Sequence, residues 1–225
     1  MNPDKNVRAN YFLSVAHSLD PVTDKVWSHQ FHVLYGTFLL PFYEAKPTMK
    51  FLEIGMGCNM KYGPGASIQL WKKLFPRAEL WEAEFNEECV KQATAKGKLD
   101  GIHTLVGDQE NNTVLDTWIQ QTDGGHFDVI IDDGGHHNCQ IYHTFLKFWP
   151  RINPGGLYFI EDLHAGRLGH YMKDVDKRCH GTLMANVIKD WMEQLIVTNG
   201  TITYRLPSNV SFVTCQFQMC LIAKK

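Results

Sequence analysis

Residues 127–164, FDVIIDDGGHHNCQIYHTFLKFWPRINPGGLYFIEDLH, decide the fold. Two apolar runs, 127–131 and 156–160, end abruptly in acids: Asp132 and Asp133 after the first, Glu161 and Asp162 after the second. Each run is too short for a helix and is bounded by Gly, Pro or polar residues, so each is predicted to be a buried strand. Between them, residues 137–149 carry Ile141, Phe145 and Phe148 at helical spacing, until Pro150 and the Asn-Pro-Gly-Gly turn stop the helix. Strand, helix, strand with a connection of this length is a parallel crossover unit. Both strands then end on one edge of the sheet, the edge where open α/β sheets bind ligands. Four carboxylates and the pair His136 and His137 are thereby predicted to gather on one rim.

Working outward, residues 49–54 form another apolar run, followed by Gly55-Met56-Gly57 and a second cluster, Gly63-Pro64-Gly65. Ile68, Leu70, Trp71 and Leu74 predict a helix over 66–75. Strand, glycine turn, helix lets backbone N–H groups approach a ligand at a helix N-terminus, which favours an anion. The next strand, 78–83, ends at Glu84, an acid placed to hold ribose hydroxyls. A helix over 86–96, a strand over 103–106 ending in Gly107-Asp108-Gln109, and a helix over 114–120 complete this part. The dinucleotide fingerprint is absent, because no third glycine follows Gly55-Met56-Gly57 at the required spacing. Glu53 lies inside a buried strand, where a carboxylate is costly unless something pairs with it, and a position beside the cofactor is expected.

Residues 1–22 look like a loosely held arm, and Thr23 resembles a helix N-cap. Val26, Phe31, Leu34, Phe38 and Leu39 point to a helix in the segment it opens, which Gly36 and Pro41 weaken, so that one helix or two shorter ones are open. Trp27, Phe31 and Tyr35 there could close over a cofactor or simply pack. Residues 163–181, rich in His, Lys, Arg and Gly, are expected to form a lid or substrate loop. Leu183, Val187, Trp191 and Leu195 predict a helix against the sheet, and 201–206 with 212–222 predict a terminal β pair. The expected architecture is a single α/β domain over 1–225. It is Rossmann-like, with a seven-stranded, mostly parallel sheet, an antiparallel last strand, helices on both faces, and residues 1–46 as a helical arm or lid.

The formal charge of −2 gives no electrostatic reason to expect nucleic acid or an anionic membrane as partner. The N-terminus carries no apolar signal core, and no apolar run could span a bilayer, so a cytoplasmic protein is expected. The six cysteines are scattered without a Cys-x-x-Cys pair, which predicts reduced, partly buried thiols rather than a disulfide framework.

LEIGMG, the acid of WEAEF, GDQ, FDVIIDDGGHH and PGGLYFIEDLH together resemble class I S-adenosylmethionine-dependent methyltransferases. More narrowly, they are similar to the metal-dependent macrocin-type sugar O-methyltransferases, the cephalosporin-hydroxylase-like group and fungal hard-surface induced proteins. Thr23-Asp24-Lys25, with His29 and Tyr35 beyond, resembles an element that precedes the first strand in many of these proteins. The resemblance covers about residues 23–164 well. It implies that Gly55, Gly57 and Glu84 hold the methionine and ribose parts of S-adenosylmethionine, with Asp108 at the adenine. Ser67 would meet the carboxylate, and Glu53, Gln109 and Asp132 complete the expected cofactor contacts. Asp133, Glu161 and Asp162 would hold a divalent metal, and His136 would be the general base. Relatives of this kind often assemble through their N-terminal segments, so a homo-oligomer is open.

That residue set suits O-methylation. Transfer from a sulfonium is an in-line displacement, so the acceptor oxygen must be held facing the methyl group. An alcohol is a weak nucleophile until it begins to lose its proton, and a histidine titrating near neutrality can take it. Hard carboxylate ligands favour Mg²⁺ over Zn²⁺. His137, Cys139 and His143 lie within one predicted helix without a remote partner pair, so a zinc centre is not expected from them. The expected activity is metal-assisted O-methylation of a small, sugar-like or natural-product hydroxyl. Its rivals are a different reaction on the same cofactor and metal, and a non-catalytic binding subunit.

Overall fold

The computed structural model describes residues 3–172, 179–197 and 202–225. The chain divides into two compact units, Met1–Gly107 and Asp108–Lys225, where the sequence carries no linker.

The first unit opens with α1, Pro3–His17, and not with the loose arm expected there. Ala9, Phe12 and Ala16 bury one narrow face of it, too small a stripe to stand out in the sequence. Phe12 stacks on Tyr35 at 5.4 Å and meets Trp71 edge-on at 5.9 Å. The helix passes so close to Gly36 that a Cβ there would lie 2.5 Å from the Cα of Ala9. Thr23 caps α2, Asp24–Trp27, by accepting the Lys25 N–H. Beyond it, α3, His32–Leu34, runs through a wide π turn, Tyr35–Leu39, into α4, Leu40–Ala45. The turn sits directly before Pro41, which cannot donate to the regular ladder. Tyr35 is fully buried against Phe12 and Trp71, so of the two expectations for it, packing holds.

The expected alternation follows: β1, Lys50–Ile54; α5, Ala66–Leu74; β2, Glu79–Glu84; α6, Glu87–Ala95; and β3, His103–Val106. β2 pairs in parallel with both β1 and β3.

In the second unit, α7, Asn112–Gln121, precedes β4, Val129–Asp132, whose residues are all buried. α8, Asn138–Phe148, carries the crossover to β5, Leu157–Ile160, parallel to β4. Then come α9, Gly169–Met172; α10, Met184–Ile196; and a hairpin of β6, Val210–Gln216, and β7, Met219–Lys224. β7 runs antiparallel to both β5 and β6. The seven strands follow the order β3-β2-β1-β4-β5-β7-β6, as expected for a mostly parallel sheet with an antiparallel last strand.

Three expectations are corrected. The terminal β pair lies wholly within residues 210–224, turning at Phe217-Gln218, and Ile202–Leu206 is not a strand; Thr201 lies outside the described residues. The buried face of α10 is Met184, Val187, Ile188 and Trp191, while Leu195 is exposed. A repeat of four drifts around a helix of 3.6 residues per turn, which is why Leu195 fell off the stripe. Finally, the cysteines are not free. Cys58 pairs with Cys89, Cys139 with Cys179 and Cys215 with Cys220. The partners are distant in sequence or opposite in a hairpin register, so a search for Cys-x-x-Cys cannot find them.

Candidate active site

The acids and histidines of the second unit converge on two turns. After β4 the chain makes the turn Asp133-Gly134-Gly135-His136-His137 and enters α8; after β5 it reaches Glu161 and Asp162. Asp133, His136 and Asp162 each place a ligand atom within 4.8 Å of the others. His136 Nε2 lies 3.9 Å from Asp162 Oδ2, and His164 Nδ1 lies 3.9 Å from Asp162 Oδ1. Both His136 and Asp162 have left-handed backbones, φ +55° and +51°. Side chains other than glycine adopt that region at a cost and tend to be kept there at functional sites. The Nδ1 of His136 is buried and has no hydrogen-bond partner. An oxygen–nitrogen donor set this tight, with an unsatisfied buried nitrogen, fits a divalent cation. Glu161 stands apart: it is buried, and its backbone N–H donates to Asp132 O at 3.0 Å. It is not one of the three residues that the structure groups.

Asp132 is fully engaged in holding that turn. Its Oδ1 accepts from Gln109 Nε2 at 3.0 Å and its Oδ2 from Tyr158 OH at 2.9 Å. Burial pushes its carboxyl above the usual carboxylate range, against the pull of those hydrogen bonds. Gln109 spans the same region: Nε2 also reaches Thr144 Oγ1 at 3.3 Å, and Oε1 accepts the Gly135 N–H at 3.0 Å. Both side chains, expected at the cofactor, have their polar ends satisfied inside the protein. Asp108 is partly exposed, and its Oδ1 accepts the Glu110 N–H at 2.9 Å.

In the first unit the expected cofactor residues separate into two groups. Gly55 and Gly57 have φ +106° and +74°, and Glu84 braces their turn by accepting the Met56 N–H at 3.2 Å. Glu84 also accepts the Asn86 N–H at 2.9 Å and remains half-exposed, so it keeps capacity for a ligand hydroxyl. α5 begins at Gly65 with no side-chain cap. This cradle fits the polar end of a nucleoside cofactor. Glu53 and Ser67 lie elsewhere. Glu53 is fully buried; its Oε2 accepts from Ser67 Oγ at 2.6 Å and Trp71 Nε1 at 2.9 Å, and its Oε1 is 3.1 Å from Lys25 Nζ. The residue that pairs with Glu53 is Lys25, whose motif is visible in the sequence although nothing there gave it this role. Next to it, Asp24 and burial push the Tyr62 hydroxyl up to about 12, burial being the larger cause.

This sheet order and these strand-end acids define the class I methyltransferase fold. No family model matches the chain. It is 32% identical over 139 residues to the mycinamicin VI 2''-O-methyltransferase of Micromonospora griseorubida, covering 60% of this chain and 32% of that one. It is 33% identical over 149 residues to the demethylmacrocin O-methyltransferase of Streptomyces fradiae, covering 65% and 35%. The MycE methyltransferase of the mycinamycin pathway, in complex with Mg, SAH and mycinamycin VI, superposes with a TM-score of 0.66 at 24% identity, covering 99% of this chain and 53% of that one. The chain thus spans about a third of the length of the curated relatives it matches.

Proposed function

We propose that this chain is an S-adenosylmethionine-dependent, divalent-metal-assisted O-methyltransferase acting on a sugar-like hydroxyl of a small natural product. The observation that carries the reading is the group Asp133, His136 and Asp162 on a class I methyltransferase fold. The similarity to enzymes that methylate macrolide sugars supports the acceptor class.

Gly55, Gly57 and Glu84 hold the cofactor, with Asp108 at its base; Glu53, Ser67, Gln109 and Asp132 are frame. Asp133 and Asp162 would hold the cation, Mg²⁺ by the preference of hard oxygens, and the ligand role expected for Glu161 is not part of this reading. When bound, the cation supplies Lewis acidity to an oxygen nucleophile. His136 would accept the acceptor's proton, and Asp162, whose Oδ2 lies 3.9 Å from its Nε2, would stabilise the imidazolium that results. S-adenosylmethionine, when bound, would supply the methyl group to the acceptor oxygen, leaving as a neutral thioether. Titration calorimetry with S-adenosylmethionine should show binding, and His136→Ala should keep that binding while losing methyl transfer. A chain that does not bind the cofactor would remove the reading at its root.

Among the described residues no helix is long and apolar enough to cross a membrane. The cytoplasmic expectation rested on the lack of an apolar signal core and of a membrane-spanning run; the three crosslinks are a separate observation, and they favour an oxidising setting. Alkylation of the native protein followed by mass measurement should find no free thiol; six modified cysteines would restore the cytoplasmic placement.

A further inference from the structure

Beyond Asp162 the chain folds back beside the acid–histidine group. Ala165 N–H donates to Asp162 O at 2.8 Å, a short turn follows, and α9 presents Tyr171. The Tyr171 ring lies 5.0 Å from that of His137 at 60° and 6.3 Å from that of His136 at 70°. His170 packs against both Tyr171 and His137, at 5.2 and 6.0 Å. Tyr171 is half-buried, and Leu168 and Met172 flanking it are 50% and 40% exposed. An aromatic ring between two exposed apolar side chains thus lies beside the histidine that clusters with Asp133 and Asp162.

The wall is fastened to the turn that carries the histidines. Asn138, at the start of α8, is buried; its Nδ2 donates to Gly166 O at 3.0 Å and its Oδ1 accepts the Met184 N–H at 2.9 Å. A Cβ at Gly166 would fall 2.5 Å from Asn138 Oδ1, so a side chain there would displace the Asn138 amide from its place. Cys139, the next residue, is crosslinked to Cys179. Both flanks of the segment bearing Tyr171 are therefore tied to the first two residues of α8.

We propose that Tyr171, with Leu168 and Met172, is the acceptor-determining wall and stacks on the C–H face of a pyranose ring. A pyranose presents apolar C–H faces and a rim of hydroxyls. The aromatic wall takes the face, and the acid–histidine group takes one hydroxyl of the rim. A flat, wholly apolar acceptor would leave the carboxylates without a match. The identity of the reaction, though not the stacking, rests on the methyltransferase reading above.

The test uses the full chain loaded with S-adenosylhomocysteine and Mg²⁺, and p-nitrophenyl α-L-rhamnopyranoside as probe. Saturation-transfer NMR should place the ring C–H protons against the protein. Tyr171→Ala should weaken the glycoside about tenfold, the equivalent of about 1.4 kcal/mol, without changing S-adenosylhomocysteine affinity. Tyr171→Phe should bind as the wild type does, because the face acts and not the hydroxyl. Leu168→Asp, at an exposed position that folding does not need, should weaken the probe in the same direction. Glycoside binding unchanged in Tyr171→Ala, or no saturation transfer in the wild type, would overturn the wall. Saturation transfer lost in Tyr171→Ala, from a wild type that transfers no methyl group from S-adenosylmethionine, would support the wall while breaking the methyltransferase reading.

Discussion

Glu53 and Asp133 look alike in the sequence, each an acid close to the end of a predicted strand with glycines just beyond, yet their surroundings in the structure differ. Glu53 is fully buried and meets Lys25, Ser67 and Trp71. Asp133 is half-buried and clusters with the imidazole of its own turn and with Asp162 from the turn after β5, both of them on left-handed backbones. A carboxylate surrounded by donors of its own protein is frame. A carboxylate that clusters with an imidazole and a second carboxylate offers ligand atoms to a cation, and is proposed as an instrument.

The sharpest way to break this contrast is to remove the partner of Glu53. Lys25→Met keeps the aliphatic stem but leaves a buried charge without its counter-ion, and should cost about 3–5 kcal/mol. Lys25→Met/Glu53→Gln should recover most of that, since the amide oxygen still accepts from Ser67 and Trp71. Urea denaturation measures both. A loss below about 1 kcal/mol in the single variant would mean that the pair is not closed in solution.

The strands and crossover helices were legible because buried parallel strands are short apolar runs and their helices carry a 3.6-residue stripe. The acids that end those strands were legible for the same reason. Which acid is frame was not, because that depends on partners far along the chain. Lys25 lies 28 positions before Glu53, and Tyr158 lies 26 after Asp132. The burial of α1 was hidden by its small stripe of Ala9, Phe12 and Ala16, and the cysteine pairs by their separation. Tyr171 is one aromatic in a segment without periodicity, and only the fold sets it beside His137.

Asp132 is the intermediate case, a frame acid one residue from the instrument. Asp132→Ala removes the acceptor of the Tyr158 hydroxyl and one of the two acceptors of Gln109 Nε2, and should cost about 1–3 kcal/mol, the usual penalty for an unsatisfied buried donor. Its titration gives a second handle. The native carboxyl is raised by burial, so the folded state binds the proton more tightly than the unfolded chain does. Its contribution is therefore fully present below the unfolded carboxylate pKa, and declines as pH rises from there through the native value. Asp132→Asn should flatten that part of the stability–pH curve, read as urea midpoints across a pH series. A slope unchanged in the variant would assign it to another group.

The smallest effect on stability should come from a residue proposed to hold the cation. In the absence of divalent cations, Asp133→Asn should leave the unfolding free energy within about 0.5 kcal/mol of the wild type, because its side chain is half-exposed and one of two clustered carboxylates is neutralised. Adding Mg²⁺ should raise the melting temperature of the wild type, since a ligand that binds only the folded state stabilises it, and should leave the variant unmoved. If Asp133→Asn instead cost as much as Lys25→Met, Asp133 would belong to the frame and the distinction between the two acids would collapse. If Mg²⁺ stabilised both proteins equally, the cation would have its site away from Asp133. The expected pairing, no loss without the cation and no gain with it, is the behaviour of a side chain placed for binding and not for folding.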